Sequence, residues 1–245
     1  MEQFIKLYRD TAKGKCTTPD SYKGLPIHAH QGLHQRSLEI VNNNRILNNA
    51  EVLDIAAGSG AMSLRLIDNG AKVTSIDLVE ENFRVNHPSC DFNKLDLNTN
   101  FSTSINKKFD VIIALEIIEH INNSRQFIKS CRELLKPGGL LIISTPNISS
   151  DYAIAELICK GTYPYFDNDH YYNGGHVNPI SSWLVELLLK DHQLELIQFE
   201  SFGKAQLRFW EWPKLYLTHK FVSVLRTEQT RPNGIINLFV ITKST

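Results

Sequence analysis

The stretch Glu51-Val52-Leu53-Asp54-Ile55-Ala56-Ala57-Gly58-Ser59-Gly60-Ala61-Met62-Ser63 decides the fold of this 245-residue chain. A short apolar run, a cluster of small residues and a helix-like stretch follow one another. They read as a strand over 51–55, a tight turn, and a helix over about 59–69 that ends at Gly70. Small side chains let the backbone turn sharply and let a ligand approach the main chain at a helix N-terminus, so the turn reads as a nucleotide-type cofactor site. A second strand over 72–76 delivers Asp77, nineteen residues beyond Gly58, where a carboxylate can accept hydrogen bonds from both hydroxyls of a ribose. A tight turn with a helix-capping aspartate is the bland alternative, and the combined pattern favours the cofactor.

Outward from this unit, strands fall near 91–95, 109–115 and 140–144, with a helix over about 124–135 and Pro137-Gly138-Gly139 turning the chain into the last of them. The alternation predicts an α/β fold with a largely parallel sheet. Residues 146–179, rich in Gly, Asn, Asp and Tyr, read as a long structureless lid or binding loop. A helix at 181–190 and strands at 194–199 and 235–242 follow, with an aromatic and basic insertion at 202–234. The whole chain, 1–245, is expected to be one domain. Its parts are an N-terminal helical lid (1–48), a cofactor-binding core (49–147), an acceptor loop (148–180) and the insertion.

Composition narrows the function. With 26 Lys+Arg against 26 Asp+Glu, no bulk positive field drives nucleic-acid binding, which is disfavoured. Cys16, Cys90, Cys131 and Cys159 are scattered without metal or disulfide spacing, and residues 1–15 show no signal-peptide pattern, so a cytoplasmic location is expected. The best apolar run, 111–118, is short and carries Glu116, so no membrane span is expected.

Charge separates two guests of such a turn. Asp54 would repel a pyrophosphate and welcome the ammonium and sulfonium of S-adenosylmethionine, and Ser63 stands where a dinucleotide fingerprint would place its third glycine. At these residues the sequence resembles the class I S-adenosylmethionine-dependent methyltransferases, from Val52 to about Asn147. The family's acidic residue and G-x-G-x-G are matched by Asp54, Ala56, Gly58 and Gly60, with Ala56 replacing the first glycine. Further motifs are Lys94-Leu95-Asp96-Leu97-Asn98, the run from Phe109 through Glu116 to Glu119-His120, and Leu134-Leu135-Lys136-Pro137-Gly138-Gly139. Together they are similar to the ubiquinone-biosynthesis O-methyltransferases. The resemblance implies a Rossmann-like seven-stranded sheet with its last strand antiparallel, flanked by helices. It also implies that Asp77 holds the ribose, that Leu78 packs on adenine, and that Asp96, beside Leu97, faces the adenine amino group.

Transfer to a hydroxyl needs a base. In the acceptor loop, 167–176 supplies carboxylates, imidazoles and phenols, and His176 is the first candidate, with His120 beside it in role; the bland reading is a polar loop whose histidine caps the next helix. Glu116, Glu119 and His120 would share one face of a helix, and with His176 they form a candidate Mg²⁺ site. The ubiquinone-type and the small-RNA 2′-O-methyltransferases resemble this arrangement, and many relatives with similar letters need no metal, Glu116 then supporting the cofactor site. Upstream, His28-Ala29-His30-Gln31-Gly32-Leu33-His34-Gln35-Arg36 precedes a helix to about Asn42 and reads as a lid with Arg36 or His34 near the methionine carboxylate; a three-histidine zinc site is the weaker alternative.

The insertion interleaves Lys204, Arg208, Lys214, Lys220, Arg226 and Arg231 with Phe209, Trp210, Trp212, Tyr216 and Phe221. It suggests peripheral contact with a membrane or protein and a lipid-linked acceptor. Against this stands a reading in which the aromatics cover the core and Pro213 interrupts any long helix. The expected function is methyl transfer to a hydroxyl oxygen of a small-molecule or glycan acceptor. The alternatives are a catalytically silent cofactor-binding subunit and, below it, an RNA 2′-O-methyltransferase.

Overall fold

The computed structural model describes residues 20–226 and 232–244. Residues 1–15, Cys16 and Arg231 lie outside them. Among the described residues seven strands form one sheet: β1 (Glu51–Ile55), β2 (Lys72–Asp77), β3 (Cys90–Lys94), β4 (Phe109–Ala114), β5 (Leu135–Pro146), β6 (Leu194–Phe202) and β7 (Ile236–Lys243). Their spatial order is β3-β2-β1-β4-β5-β7-β6. All run parallel except β7, which pairs antiparallel with both β5 and β6, as the resemblance implied.

The sheet is buried on both faces, so its central strands are nearly continuous apolar runs whose alternate residues feed two separate cores. Leu53, Ile112, Leu141, Ile143 and Phe239 pack with α3 (Ser124–Leu134) and α5 (Ser182–Asp191). On the other face Val52, Val111, Ile113, Leu140 and Leu238 pack with α1 (Leu33–Asn44) and α2 (Ala61–Asp68). The strand order changes direction between β1 and β4, and open α/β sheets bind ligands at the carboxyl ends of the strands there. Ahead of α1, a two-strand hairpin (Ser21–Tyr22 with Leu25–Pro26) is clamped onto α2, where the Tyr22 hydroxyl donates to Asp68 at 2.6 Å and Arg65 stacks over the Tyr22 ring.

Three expectations need correction. β5 starts at Leu135 rather than 140, because Phe109 pairs with Leu135 and Val111 with Leu140. The Pro137-Gly138-Gly139 stretch is therefore a bulge inside the strand, with Gly138 at φ 69°, and not a turn before it. The segment after β5 is not structureless: α4 (Asp151–Lys160) is capped by Ser150, whose Oγ accepts from the Ala153 N–H at 3.1 Å, and ends at Gly161 with φ 80°. Pro213 does not break a helix but starts one, α6 (Pro213–Leu225), at a position where its missing N–H costs nothing.

Candidate active site

The turn from β1 to α2 is held in left-handed backbone at Ala56 (φ 58°), Gly58 (φ 55°) and Gly60 (φ 86°). Asp77, at the end of β2, braces it: one carboxylate oxygen accepts from the Gly58 N–H and the other from the Val79 N–H, both at 2.9 Å. Burial pushes the Asp77 carboxyl above its usual range, and these backbone donors pull against that shift. Asp54 lies beneath the turn, where the Ser63 hydroxyl donates to it at 2.5 Å. Desolvation, with the charge of Asp77 adding to it, raises Asp54 to about 7. A cavity of about 320 Å³ opens over these groups and is also lined by Leu78, Asp96, Leu97 and Glu116.

Ala56 bears a Cβ where the backbone favours glycine, so the turn stores strain. Ala56→Gly is expected to stabilise the fold by about 0.5–1 kcal/mol. Thermal melting checks this, and an unchanged or lower Tm would show that the methyl group makes compensating contacts.

At the other end of the cavity wall stand His120 and His176, with ring centroids 4.7 Å apart and edge to face. His120 Nδ1 lies 3.1 Å from the Gly175 carbonyl; a carbonyl only accepts, so Nδ1 carries the proton and Nε2 is the basic nitrogen. His176 Nδ1 and Glu119 Oε2 are buried without a hydrogen-bond partner. One ligand atom from each of Glu119, His120 and His176 lies within 4.8 Å of the others. Burial drives both histidines down, His120 to about 4, so both are neutral near pH 7. Burial, reinforced by Glu116, pushes Glu119 well up, and burial takes Glu116 to about 7.

Glu116 stands outside the metal-competent trio. The expected helix does not form: only Ile118–His120 makes a 3-10 turn, and Glu116 before it is left-handed at φ 51°. Ser144 fixes that conformation, its hydroxyl accepting from the Glu116 N–H at 2.9 Å and its carbonyl from the same group at 3.2 Å. The acceptor loop is pinned to the turn because the Glu119 carbonyl accepts from the N–H groups of Val177 and Asn178, each at 3.0 Å, and the Asn178 amide donates to Ser124 at 2.6 Å. His176 caps no helix; Ser181 caps α5.

Arg36 does not reach the cavity. It forms a two-pronged ion pair with Glu200 on β6, both contacts 2.8 Å, and sits inside α1, which begins at Leu33. His28 and His34 line the cavity wall, but with His30 they form no metal-competent group among the described residues.

A family model described as a methyltransferase domain matches residues 30–199. The chain belongs to this family. Among curated relatives, the ubiquinone biosynthesis O-methyltransferase of Rickettsia akari (strain Hartford) is 34% identical over 122 residues, covering 48% of this chain and 49% of that protein. The chain thus spans about half the length of that relative. A crystal structure of a SAM-dependent methyltransferase from Archaeoglobus fulgidus superposes with a TM-score of 0.58 at 14% identity, covering 86% of this chain and 94% of that one. The [4+2]-cyclase SpnF gives a TM-score of 0.59 at 14% identity, over 100% and 93% of the two chains. At such identities only the fold is shared, and in the cyclase it serves another named reaction. In this chain Asp54 and Asp77 from the turn motif, His120 from the Glu119-His120 pair and His176 from the acceptor loop all line one cavity. Ser144, which fixes Glu116, and Asn178, which ties the acceptor loop to Ser124, carry no motif of their own.

Proposed function

We propose that this methyltransferase transfers the methyl group of S-adenosylmethionine to a hydroxyl oxygen of a small-molecule or lipid-linked acceptor, with His176 and His120 as the proton-accepting groups. The reading is carried by the convergence of two neutral imidazoles on the cavity that also holds Asp54 and Asp77. The residues present fit the cofactor. A Cβ at Gly60 would meet Val85 at 2.4 Å and Phe83 at 2.9 Å, so the left-handed turn beneath the cavity is built on glycine, and Asp54 is a buried carboxylate that favours a cation. Asp77 would hold the ribose hydroxyls, Leu78 the adenine face and Asp96 its amino group. When bound, the cofactor supplies a methyl group on a positively charged sulfur. The protein's part is to align the acceptor oxygen, exclude water and take its proton onto an imidazole nitrogen. Incubation with methyl-labelled S-adenosylmethionine and hydroxylated aromatic and sugar acceptors tests this. Label on oxygen supports it, whereas cofactor retained with no transfer to any acceptor favours the silent subunit.

Glu119, His120 and His176 also fit a divalent cation, which would lower the pKa of a coordinated hydroxyl. On this reading a chelator abolishes turnover and Mg²⁺ restores it. Full activity in excess chelator would leave the histidines as bases alone.

Asp54 gives cofactor binding a pH signature. Its carboxyl is raised from an ordinary value of 3.8 to about 7, so in the ligand-free protein it holds a proton that a cationic ligand must displace. Affinity for S-adenosylmethionine should therefore fall about ten-fold per pH unit below about 7 and level off above it. Asp54 should impose the opposite trend on the ligand-free fold: between pH 3.8 and 7 this group binds more protons in the native state than in the unfolded chain, so its contribution to stability should decline as pH rises through that window. Titration calorimetry across pH checks the first effect, and Asp54→Asn should flatten it. A pH-independent affinity in the intact protein would remove Asp54 from the cation site.

A further inference from the structure

α6 is apolar on two opposite faces. Leu215 and Val222 are buried where the helix packs on α4, whereas Leu217, Phe221 and Val224, at helical spacing, are 59%, 63% and 84% exposed. The residues leading into the helix add Trp210 and Trp212, 87% and 56% exposed. They adjoin the helix: Phe209 stacks edge to face on both Trp210 and Tyr216, and Lys160 of α4 lies over the Trp212 ring. A helix apolar all round is normally buried, and exposed aromatic clusters of this kind mark interaction surfaces. None of these side chains lines the cavity, so shaping the acceptor pocket does not explain them.

Charge selects the partner. In a protein whose 26 basic and 26 acidic residues balance, the described stretch 202–226 carries Lys204, Arg208, Lys214, Lys220 and Arg226 against Glu211 alone. Arg226 is committed to Asp151 and Arg208 to Glu211. Lys204, Lys214 and Lys220 have no carboxylate at ion-pair distance among the described residues. We propose that the outer face of α6, with Trp210 and Trp212, docks the protein on an anionic lipid surface. Tryptophan and lysine both suit that boundary, with ring or stem in the apolar phase and the polar end among headgroups. A second copy of the chain is a poorer occupant, since a two-fold contact would set the same lysines against themselves.

The inference rests on the methyltransferase reading only for what is methylated, and its test reads lipid binding separately from cofactor binding.

The whole chain is mixed with vesicles of phosphatidylcholine, or of equimolar phosphatidylcholine and phosphatidylglycerol, and sedimented at low and at physiological salt. The intact chain is expected to sediment with the phosphatidylglycerol vesicles, more at low salt, and hardly at all with phosphatidylcholine. Trp210→Ser/Phe221→Ser/Val224→Ser and, separately, Lys214→Glu/Lys220→Glu should each lower the bound fraction about ten-fold. Melting temperature and S-adenosylhomocysteine binding should match the intact chain in both variants. Absence of sedimentation with anionic vesicles at either salt overturns the proposal, as does equal sedimentation of intact and variant chains. Concentration-dependent dimerisation abolished by both variants also overturns it and gives the face to a second copy. Lipid binding by a chain that binds no S-adenosylhomocysteine supports docking and removes the methyltransferase reading alone.

Discussion

His176→Ala should lower the rate of methyl transfer by about 10²–10⁴-fold while leaving S-adenosylhomocysteine affinity unchanged. The side chain is half-buried, lines the cavity, is held neutral by its surroundings, and keeps a buried Nδ1 without a hydrogen-bond partner. Two readouts separate a base from a structural prop. Added imidazole should restore part of the rate if the lost function is proton acceptance. A higher Mg²⁺ requirement in the variant would show that the ring's role is to hold a cation. A variant as fast as the intact protein, with or without metal, would transfer the role to His120, whose Nδ1 is already committed to the Gly175 carbonyl.

Asp77→Ala has the second large effect, on affinity. The carboxylate is designed into two jobs at once, since its oxygens already receive the Gly58 and Val79 N–H groups and retain lone pairs toward the cavity. Its removal should weaken S-adenosylhomocysteine binding by about 1.5–3 kcal/mol through lost charge-assisted bonds. It also leaves two backbone donors without their acceptor, so a drop in Tm should accompany the loss. Asp77→Asn divides the two jobs, because an amide oxygen can still accept from one N–H while the charge is gone. Equal affinity of Asp77→Ala and the intact protein by calorimetry would contradict the cofactor assignment.

The core strands and the cofactor turn were legible because they obey local rules: buried parallel strands are apolar runs, and a backbone that must approach a ligand needs small residues. Gly58 and Gly60 follow from these rules, Asp77 from its place at the end of the second strand, and Asp54 from its charge beside the turn. What escaped depended on partners distant in sequence. Arg36 looked like a ligand for a carboxylate, and it found one, but in Glu200, 164 residues away. The helical spacing of Glu116, Glu119 and His120 implied a shared face, yet Ser144 holds Glu116 in left-handed backbone and a separate short turn carries the other two. Proline is hostile to helix interiors, which marks Pro213 as a breaker, although its first-turn position has the reverse meaning. α4 was hidden by the polar flanks around it, within which Ser150 and Gly161 supply an ordinary start and stop.

The placing of β7 between β5 and β6 has a consequence for how the chain is made. Among the described residues β6 has no other neighbour in the sheet, so during synthesis its pairing must wait until Ile236–Lys243 has been translated and can enter the gap. The first five strands can pair while the chain is still growing, but the last two can only arrive as a pair. Nascent chains arrested before residue 236 should therefore protect the cofactor turn from proteolysis and leave β6 open to cleavage, so that the cradle for the ligand is completed before the sheet that supports it.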